Sequence, residues 1–236
     1  RDWRLLGERG WWARFLSNHD KPRQVSLYGS EGEHWEASAK LLALLVHTLP
    51  GTPFLYQGEE LGMTNMAFSS IEEYNDPEAK NRYRQLLLEG VPPEKALRTI
   101  QLESRDNART PMQWDSSPHA GFTTGTPGCR STPTTPKSTP LPKNGTLGPF
   151  CTFTGGLSPC GGSSPPSPGA ALRALETGSS TLLAYRRPHE SGSLLVVLNF
   201  SSKAALAPRG LVPEGPSPCW PPPNGWRLAG RTPAPL

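Results

Sequence analysis

Phe15-Leu16-Ser17-Asn18-His19-Asp20 is the stretch that decides how this chain folds. A mainly apolar run from Trp11 to Leu16 leads directly into the polar residues, which is typical of a short buried strand that ends at Ser17. The carboxyl ends of buried parallel strands are where a (β/α)₈ barrel carries its ionisable side chains. Taken alone, Asn18-His19-Asp20 is equally typical of a turn or a helix N-cap, so the neighbouring sequence has to decide.

The next sixty residues repeat the pattern of an apolar strand with a polar exit. Residues 35–48 form an apolar helix that is too continuously hydrophobic for a surface position, and we expect it to be largely buried. Residues 53–57 then read as a second buried strand. Strand, helix and strand at this spacing make one βαβ unit of a parallel sheet. We therefore expect residues 11–17 and 53–57 to pair in parallel, with the polar exits of both strands at the same end.

The remaining patterned sequence predicts two outer helices, a polar loop and a hairpin. Residues 76–89 and 93–104 have charged faces, which place them on the outside of the fold. Residues 104–115 follow as a loop rich in Arg and Asp, which is either a surface turn or the wall of a polar site. Residues 182–200 contain two apolar strands with a hairpin-length loop between them.

Composition and charge exclude several classes of protein. The 236 residues carry a net charge of +4 without a run of Lys or Arg, so nucleic acid is not an indicated partner. No apolar run reaches the roughly 18 residues of a membrane span, and the N-terminus has no signal-peptide pattern, so we expect a cytoplasmic protein without a membrane partner. The chain begins at Arg1 in mid-pattern, as a fragment would.

Proline and glycine are concentrated in two regions. They number 28 and 24, and proline becomes dense only after about residue 110. Residues 126–170 show no usable period, and the Pro-rich character returns from residue 212. All four cysteines lie in these Pro-rich regions, and none forms a metal-type Cys-x-x-Cys pair, so we expect no metal. Two disulfides are possible, but in a cytosolic protein we expect free thiols.

Three stretches resemble one family in this order and spacing: Asn18-His19-Asp20, GTPFLYQGEELGM over 51–63, and SRDNARTPMQW over 104–114. The family is the α-amylase superfamily (glycoside hydrolase family 13), in its oligo-1,6-glucosidase and α-glucosidase branch. The resemblance covers about residues 7–125 and resumes over about 172–210.

This resemblance implies an α/β fold, namely the C-terminal part of a (β/α)₈ TIM barrel followed by a small all-β C-terminal domain. It divides the chain into four segments: the barrel part over 1–125, an aberrant segment over 126–171, a remnant of the β domain over 172–211, and an aberrant tail over 212–236. Because family pattern stops and then returns, we expect the aberrant segments to be translated out of frame.

The resemblance also implies a retaining glycosidase that needs no cofactor and acts on small oligosaccharides of the maltose or isomaltose type. In it Asp20 would stabilise the positively charged transition state, and His19 would donate to a hydroxyl of the same glucose. Arg105 would grip the non-reducing end of that glucose. Arg109 is the alternative for this role, because spacing alone does not separate the two. Arg23 is near enough to line the same mouth.

The chain departs from the family where the chemistry would be completed. The motifs that carry the nucleophile and the acid/base would precede residue 1, so we expect this chain alone to be inactive. A catalytically silent relative, the amylase-like ectodomain of amino-acid transporter heavy subunits, is the alternative. The preference for α-1,4 or α-1,6 linkages stays open.

Several other conspicuous residues are expected to be structural. Glu59 and Glu60 should hold loops by hydrogen bonds. The tryptophans Trp11, Trp12 and Trp35 should pack in the core or against barrel helices, and His47 should be a packed histidine on its apolar helix.

Overall fold

The computed structural model describes residues 10–129, 172–189, 192–206 and 211. The chain divides into two compact units, residues 1–170 and 171–236. Most of the predicted aberrant segment 126–171, the tail 212–236 and three of the four cysteines lie outside the described residues; Cys129 is described and is unpaired.

The described part of the first unit contains two short strands and four α-helices. These are β1 (Ala13–Arg14), α1 (Gln24–Tyr28), α2 (Trp35–Thr48), β2 (Thr52–Pro53), α3 (Pro77–Leu88) and α4 (Pro93–Glu103). Short 3₁₀ helices lie at Glu59–Leu61, Ile71–Glu73, Arg105–Arg109 and Pro118–Gly121. The second unit contains β3 (Arg173–Leu175), β4 (Leu182–His189) and β5 (Gly192–Asn199).

The predicted parallel pairing of the first two strands is confirmed. β1 and β2 run parallel, with Ala13 opposite Thr52 and Arg14 opposite Pro53. The Phe54 N–H donates to the Arg14 carbonyl at 2.7 Å. Both strands are much shorter than predicted, at two residues each.

The expectation that these strands are buried is wrong. Apolar side chains beside them are 38% to 55% exposed: Trp11, Trp12, Phe15, Phe54 and Leu55. A strand of a parallel sheet is normally covered by helices on its faces and by strands on both edges. Within the described residues each of these strands has one neighbour, so the apolar side chains remain open. For the same reason Trp11 and Trp12 are exposed, and the expectation that they pack in the core is wrong.

Helix α2 is buried as predicted. Its residues Ala39, Leu42 and Ala43 form one hydrophobic cluster with Val25 of α1. The side chain of Trp35 packs against this cluster and donates its indole N–H to the Gly62 carbonyl at 2.8 Å. His47, also buried, has Nδ1 at 2.8 Å from the Ala43 carbonyl oxygen, which confirms it as a packed histidine.

Helices α3 and α4 share a second hydrophobic core and match their predicted ranges within one residue. The core consists of buried residues from both helices and the loop before them: Met66, Phe68, Tyr74, Ala79, Leu86, Ala96 and Ile100. Asp76 caps α3 by accepting the Glu78 N–H at 3.1 Å, and Pro77 occupies the first helical position. These two residues fix where the helix begins.

The described part of the second unit contains a three-stranded antiparallel sheet in the order β3-β4-β5. The predicted hairpin is confirmed: Leu183 pairs with Leu198, and Tyr185 with Val196. Strand β3 extends the sheet and was not predicted. No helix among the described residues is long and apolar enough to cross a membrane.

Candidate functional site

The carboxylate of Asp20 lies at the centre of a cluster of polar side chains after β1. Arg109 Nη2 lies 3.1 Å and Arg105 Nη1 3.4 Å from the same oxygen, Asp20 Oδ1. His19 Nε2 lies 3.2 Å from the other oxygen, Asp20 Oδ2. The structure therefore brings together four of the five residues that the sequence singled out.

This cluster is open on one side. The side chains of His19 and Asp20 are 70% and 49% exposed, whereas those of the two arginines are about one-third exposed. The carboxylate is thus held by two cations and still accessible. Such a group accepts hydrogen bonds from hydroxyls and stabilises positive charge that develops beside it.

The two arginines reach Asp20 in different ways. Arg109 also donates Nε–H to the backbone carbonyl of His19 at 3.0 Å, so it fixes the turn that carries Asp20. Arg105 makes no such backbone contact among those described. Its guanidinium lies instead between Asp20 and a second carboxylate, that of Asp76. Arg109 is therefore tied to the loop itself, and Arg105 to the start of α3.

Asp76 holds the Arg105 guanidinium with both oxygens. Arg105 Nε and Nη2 each donate to Asp76 at 2.8 Å, and Asp76 is only 3% exposed. Burial alone would raise the pKa of Asp76, but the hydrogen bonds from Arg105 and from the Glu78 N–H outweigh it and hold that pKa below its ordinary value. Sequence reasoning interpreted Asp76 only as a helix cap, and nothing in the pattern pairs it with an arginine 29 positions later.

Asp106 connects the segment Arg105–Arg109 to the N-terminus of α3. Its Oδ2 accepts the backbone N–H groups of Asn75 and Asp76, each at 2.8 Å. Its own N–H donates to Ser104 Oγ at 3.2 Å. The loop over 105–109 and the N-terminus of α3 are thereby locked together.

Arg23 lies elsewhere, and the expectation that it lines the mouth of the site is wrong. Its side chain is 1% exposed and donates to the carbonyl oxygens of Gln57 and Asn107, the latter at 3.3 Å, and to Thr110 Oγ1 at 3.3 Å. Burial lowers the pKa of Arg23 to about 10, against the opposing attraction of Tyr56 and nearby carboxylates. Because its donors are used inside the protein, Arg23 joins its own segment to the segment at Gln57 and to the segment over 107–110.

Glu59 and Glu60 hold loops by hydrogen bonds, as predicted. Ser17 Oγ donates to Glu59 Oε1 at 2.5 Å, and the Gly58 N–H donates to Glu60 Oε2 at 2.8 Å. Gly58 has a φ of 91°, a conformation that favours glycine, so the turn that delivers Glu59 depends on it. Burial raises the pKa of Glu59 to about 7, and its Oε2 has no hydrogen-bond partner among the described residues.

No group of three or more His, Cys, Asp or Glu side chains in the described ranges is arranged to hold a metal ion. The chemistry that this part of the chain offers is that of a carboxylate, an imidazole and two guanidinium groups.

Known proteins match the part of the chain that carries this site. The sequence model of the alpha-amylase catalytic domain matches residues 2–133. An oligo-1,6-glucosidase of Halalkalibacterium halodurans is 52% identical over 122 residues, which are 52% of this chain and 22% of that protein. A glucan 1,6-alpha-glucosidase of Streptococcus pneumoniae is 51% identical over 120 residues, or 51% of this chain and 22% of that protein.

Solved structures extend the likeness to most of the chain. The trehalulose synthase from Pseudomonas mesoacidophila MX-45 superposes with a TM-score of 0.78 at 35% identity, covering 90% of this chain and 41% of that one. The chain spans about a fifth of the length of the curated relatives that it matches.

Proposed function

Because the chain belongs to the α-amylase family of glycoside hydrolases, in its oligo-1,6-glucosidase branch, we propose that the full-length protein releases terminal α-linked glucose from short oligosaccharides of the maltose or isomaltose type. The observation that carries this proposal is the half-exposed carboxylate of Asp20 between Arg105 and Arg109. That arrangement suits a sugar bound at the open side of the cluster.

Asp20 acts as the transition-state stabiliser in this proposal. When the glycosidic bond breaks, positive charge develops on the sugar ring. A fixed negative charge beside the ring favours that state more than the uncharged substrate, which lowers the barrier. Arg109 keeps Asp20 in place through the His19 carbonyl and Asp20 Oδ1.

His19 and Arg105 supply the hydrogen bonds to the glucose. His19 is the most exposed member of the cluster at 70%, so its ring is accessible to a hydroxyl although Nε2 lies 3.2 Å from Asp20 Oδ2. Arg105 binds Asp76 through Nε and Nη2 and contacts Asp20 through Nη1, which leaves one N–H of Nη1 for the sugar. We assign substrate binding to Arg105 and the anchoring of the loop to Arg109.

A retaining mechanism also needs a nucleophile and an acid about 5 Å apart. We propose that both come from parts of the barrel outside these 236 residues. In that arrangement residues 1–125 form the C-terminal part of the (β/α)₈ barrel, and further strands cover the apolar side chains beside β1 and β2. The segment over 172–211, which contains the three-stranded sheet, is then the remnant of a small all-β C-terminal domain. The transporter-ectodomain alternative has no support among the relatives described above.

The test is an assay of glucose release by the full-length gene product. We expect release from isomaltose, maltose or an aryl α-glucoside, and its loss in Asp20→Ala. Release that is unchanged in Asp20→Ala, or no release from any of the three, would overturn the proposal. The ratio of the rates on isomaltose and maltose would also decide the linkage preference.

A further inference from the structure

Asp76 is buried next to the polar cluster of Asp20, His19, Arg105 and Arg109, away from the open side of that cluster. It lies behind Arg105, with its side chain 3% exposed, against 49% for Asp20. The Arg105 guanidinium is therefore held between this buried carboxylate and two exposed ones, those of Asp20 and Glu78.

The N–H donors of Arg105 face different carboxylates. The Nε and Nη2 edge is bound by Asp76 with two hydrogen bonds of 2.8 Å, and Nη2 also lies 3.5 Å from the exposed Glu78 Oε2. The Nη1 end faces Asp20 Oδ1 at the longer distance of 3.4 Å. Two short parallel bonds to one carboxylate fix both the position and the plane of a guanidinium group. The Asp20 contact is too long to do the same.

Asp76 itself is held rigidly by the fold. Its N–H donates to Asp106 Oδ2 at 2.8 Å, its Oδ1 caps α3, and Pro77 restricts the backbone that follows. Tyr74, two residues earlier, is completely buried in the core between α3 and α4. The carboxylate is thus anchored to the start of α3 and, through Asp106, to the segment over 105–109.

Charge gives the arrangement a second consequence. The charges of Arg105 and Asp20 attract each other, so the guanidinium would move closer to Asp20 if no other group bound it. Asp76 offers Arg105 the nearer negative charge, at 2.8 Å against 3.4 Å. Arg105 then stays at the longer distance from Asp20, and the exposed side of the Asp20 carboxylate remains accessible to a ligand.

We propose that Asp76 is a positioning residue: it fixes the plane of Arg105 so that Nη1 faces the sugar site, and it prevents Arg105 from closing onto Asp20. This inference rests on the proposed function, since Arg105 is taken there to bind glucose. Asp76 acts through Arg105 and does not touch substrate.

Asp76→Asn is the informative variant because it separates the two tasks of this side chain. Asparagine caps helices as well as aspartate does, so α3 should begin normally. It lacks the charge and the second acceptor oxygen that bind the guanidinium. Asp115→Asn is the matched control: Asp115 also accepts hydrogen bonds from a turn, through the N–H and Oγ of Ser117, and does not contact the arginines among its described bonds.

The first arm is nuclear magnetic resonance of the 236-residue chain, which does not depend on activity. We expect the Nε–H signal of Arg105, identified by its absence in Arg105→Lys, to be shifted and protected from solvent exchange. Asp76→Asn should lose that protection, and Asp115→Asn should keep it. An Arg105 signal that is unchanged by Asp76→Asn would overturn the inference.

The second arm is a double-mutant cycle in the full-length gene product. Asp76→Asn should lower kcat/KM roughly ten- to a hundredfold, the effect of losing one hydrogen bond to a charged group. In the Arg105→Ala background the same change should cost nothing further, because the residue through which Asp76 acts is gone. An equal loss in both backgrounds, or no loss in either, contradicts the inference. Absence of glucose release by the wild type would instead overturn the proposed function, and the first arm would still decide the role of Asp76.

Discussion

Ser17 and Glu59 join the ends of the two parallel strands, with Ser17 Oγ donating to Glu59 Oε1 over 2.5 Å. Ser17 is the last residue before Asn18-His19-Asp20, and Glu59 follows the second strand. Both side chains are buried, at 1% and 4% exposure. The hydrogen bond therefore fixes the point from which the loop that carries Asp20 leaves the sheet. Burial raises the pKa of the Glu59 carboxyl group in this bond to about 7.

The raised pKa of Glu59 predicts how stability depends on pH. Between about pH 4.5 and about pH 7 the unfolded chain releases this proton while the folded chain retains it. The contribution of Glu59 to the free energy of unfolding is therefore fully present below that window and is lost as the pH rises through it. A shift of this size corresponds to about 3 kcal/mol. Glu59→Gln, which cannot titrate, should remove this slope when urea unfolding of the chain is followed from pH 4 to pH 8.

Glu36→Gln is the control for this experiment, because Glu36 lies on the surface in an ion pair with Lys40 at 2.6 Å. It should leave the slope between pH 4.5 and pH 7 as in the wild type. A Glu59→Gln variant with the wild-type slope would show that another group is responsible.

Arg23 should be one of the most sensitive positions for stability. Arg23→Lys keeps the charge but loses the planar group that reaches Gln57, Asn107 and Thr110 together. Buried acceptors left without a donor cost about 1–3 kcal/mol each, so we expect a loss of roughly 3 kcal/mol in the free energy of urea unfolding. Arg84→Lys on the exposed face of α3 should change it by less than about 0.5 kcal/mol. Equal effects of the two substitutions would refute the structural role of Arg23.

The sequence predicts features with local causes and misses those that depend on distant partners. Asp76 and Pro77 mark the start of α3 because capping and a fixed φ act within one turn. The parallel strands follow from apolar runs separated by an apolar helix. The burial of Arg23 could not be inferred, because its acceptors lie 34 to 87 positions away and most are backbone carbonyls, which leave no trace in residue type.

The same limit applies to the candidate site. Asp20, His19 and Arg105 were found through motif resemblance, which records residues that recur in a family. Asp76 was interpreted from its local pattern and so appeared only as a helix cap. The exposure of the strand residues depends on which other strands cover them, and no periodicity within 11–17 carries that information.

Asp20→Asn in the full-length gene product should affect turnover more than substrate binding. The amide is nearly the same size and still accepts hydrogen bonds, but it lacks the charge that opposes the developing cation. We expect kcat to fall by about two to three orders of magnitude while KM changes much less. Asp115→Asn serves as the control with both constants unchanged. A rise in KM with kcat preserved would mean that Asp20 only binds substrate.

The Pro-rich segments yield a prediction about the gene. We expect residues from about 128 to 170, and again from about 212, to be translated out of frame, because family pattern stops abruptly and returns near residue 172. Sequencing of the gene and its transcript should reveal a shifted frame that encodes an apolar, periodic helix across 130–170. If none of the frames does so, the segment is a genuine insertion.

The 236-residue chain by itself should not hydrolyse glycosides. The family motifs that carry the nucleophile and the acid do not occur among its residues, and the chain spans 22% of the oligo-1,6-glucosidase that it matches. Loss of the nucleophile alone costs a hydrolase on the order of 10⁶ in turnover. Asp20 does not replace it, because its Oδ1 is bound by two arginines and stabilising a cation supplies neither a covalent intermediate nor a proton. The purified chain, offered isomaltose, maltose and an aryl α-glucoside, should release no glucose above the buffer rate. Release that Asp20→Ala abolishes would show that the chain contains a complete catalytic site.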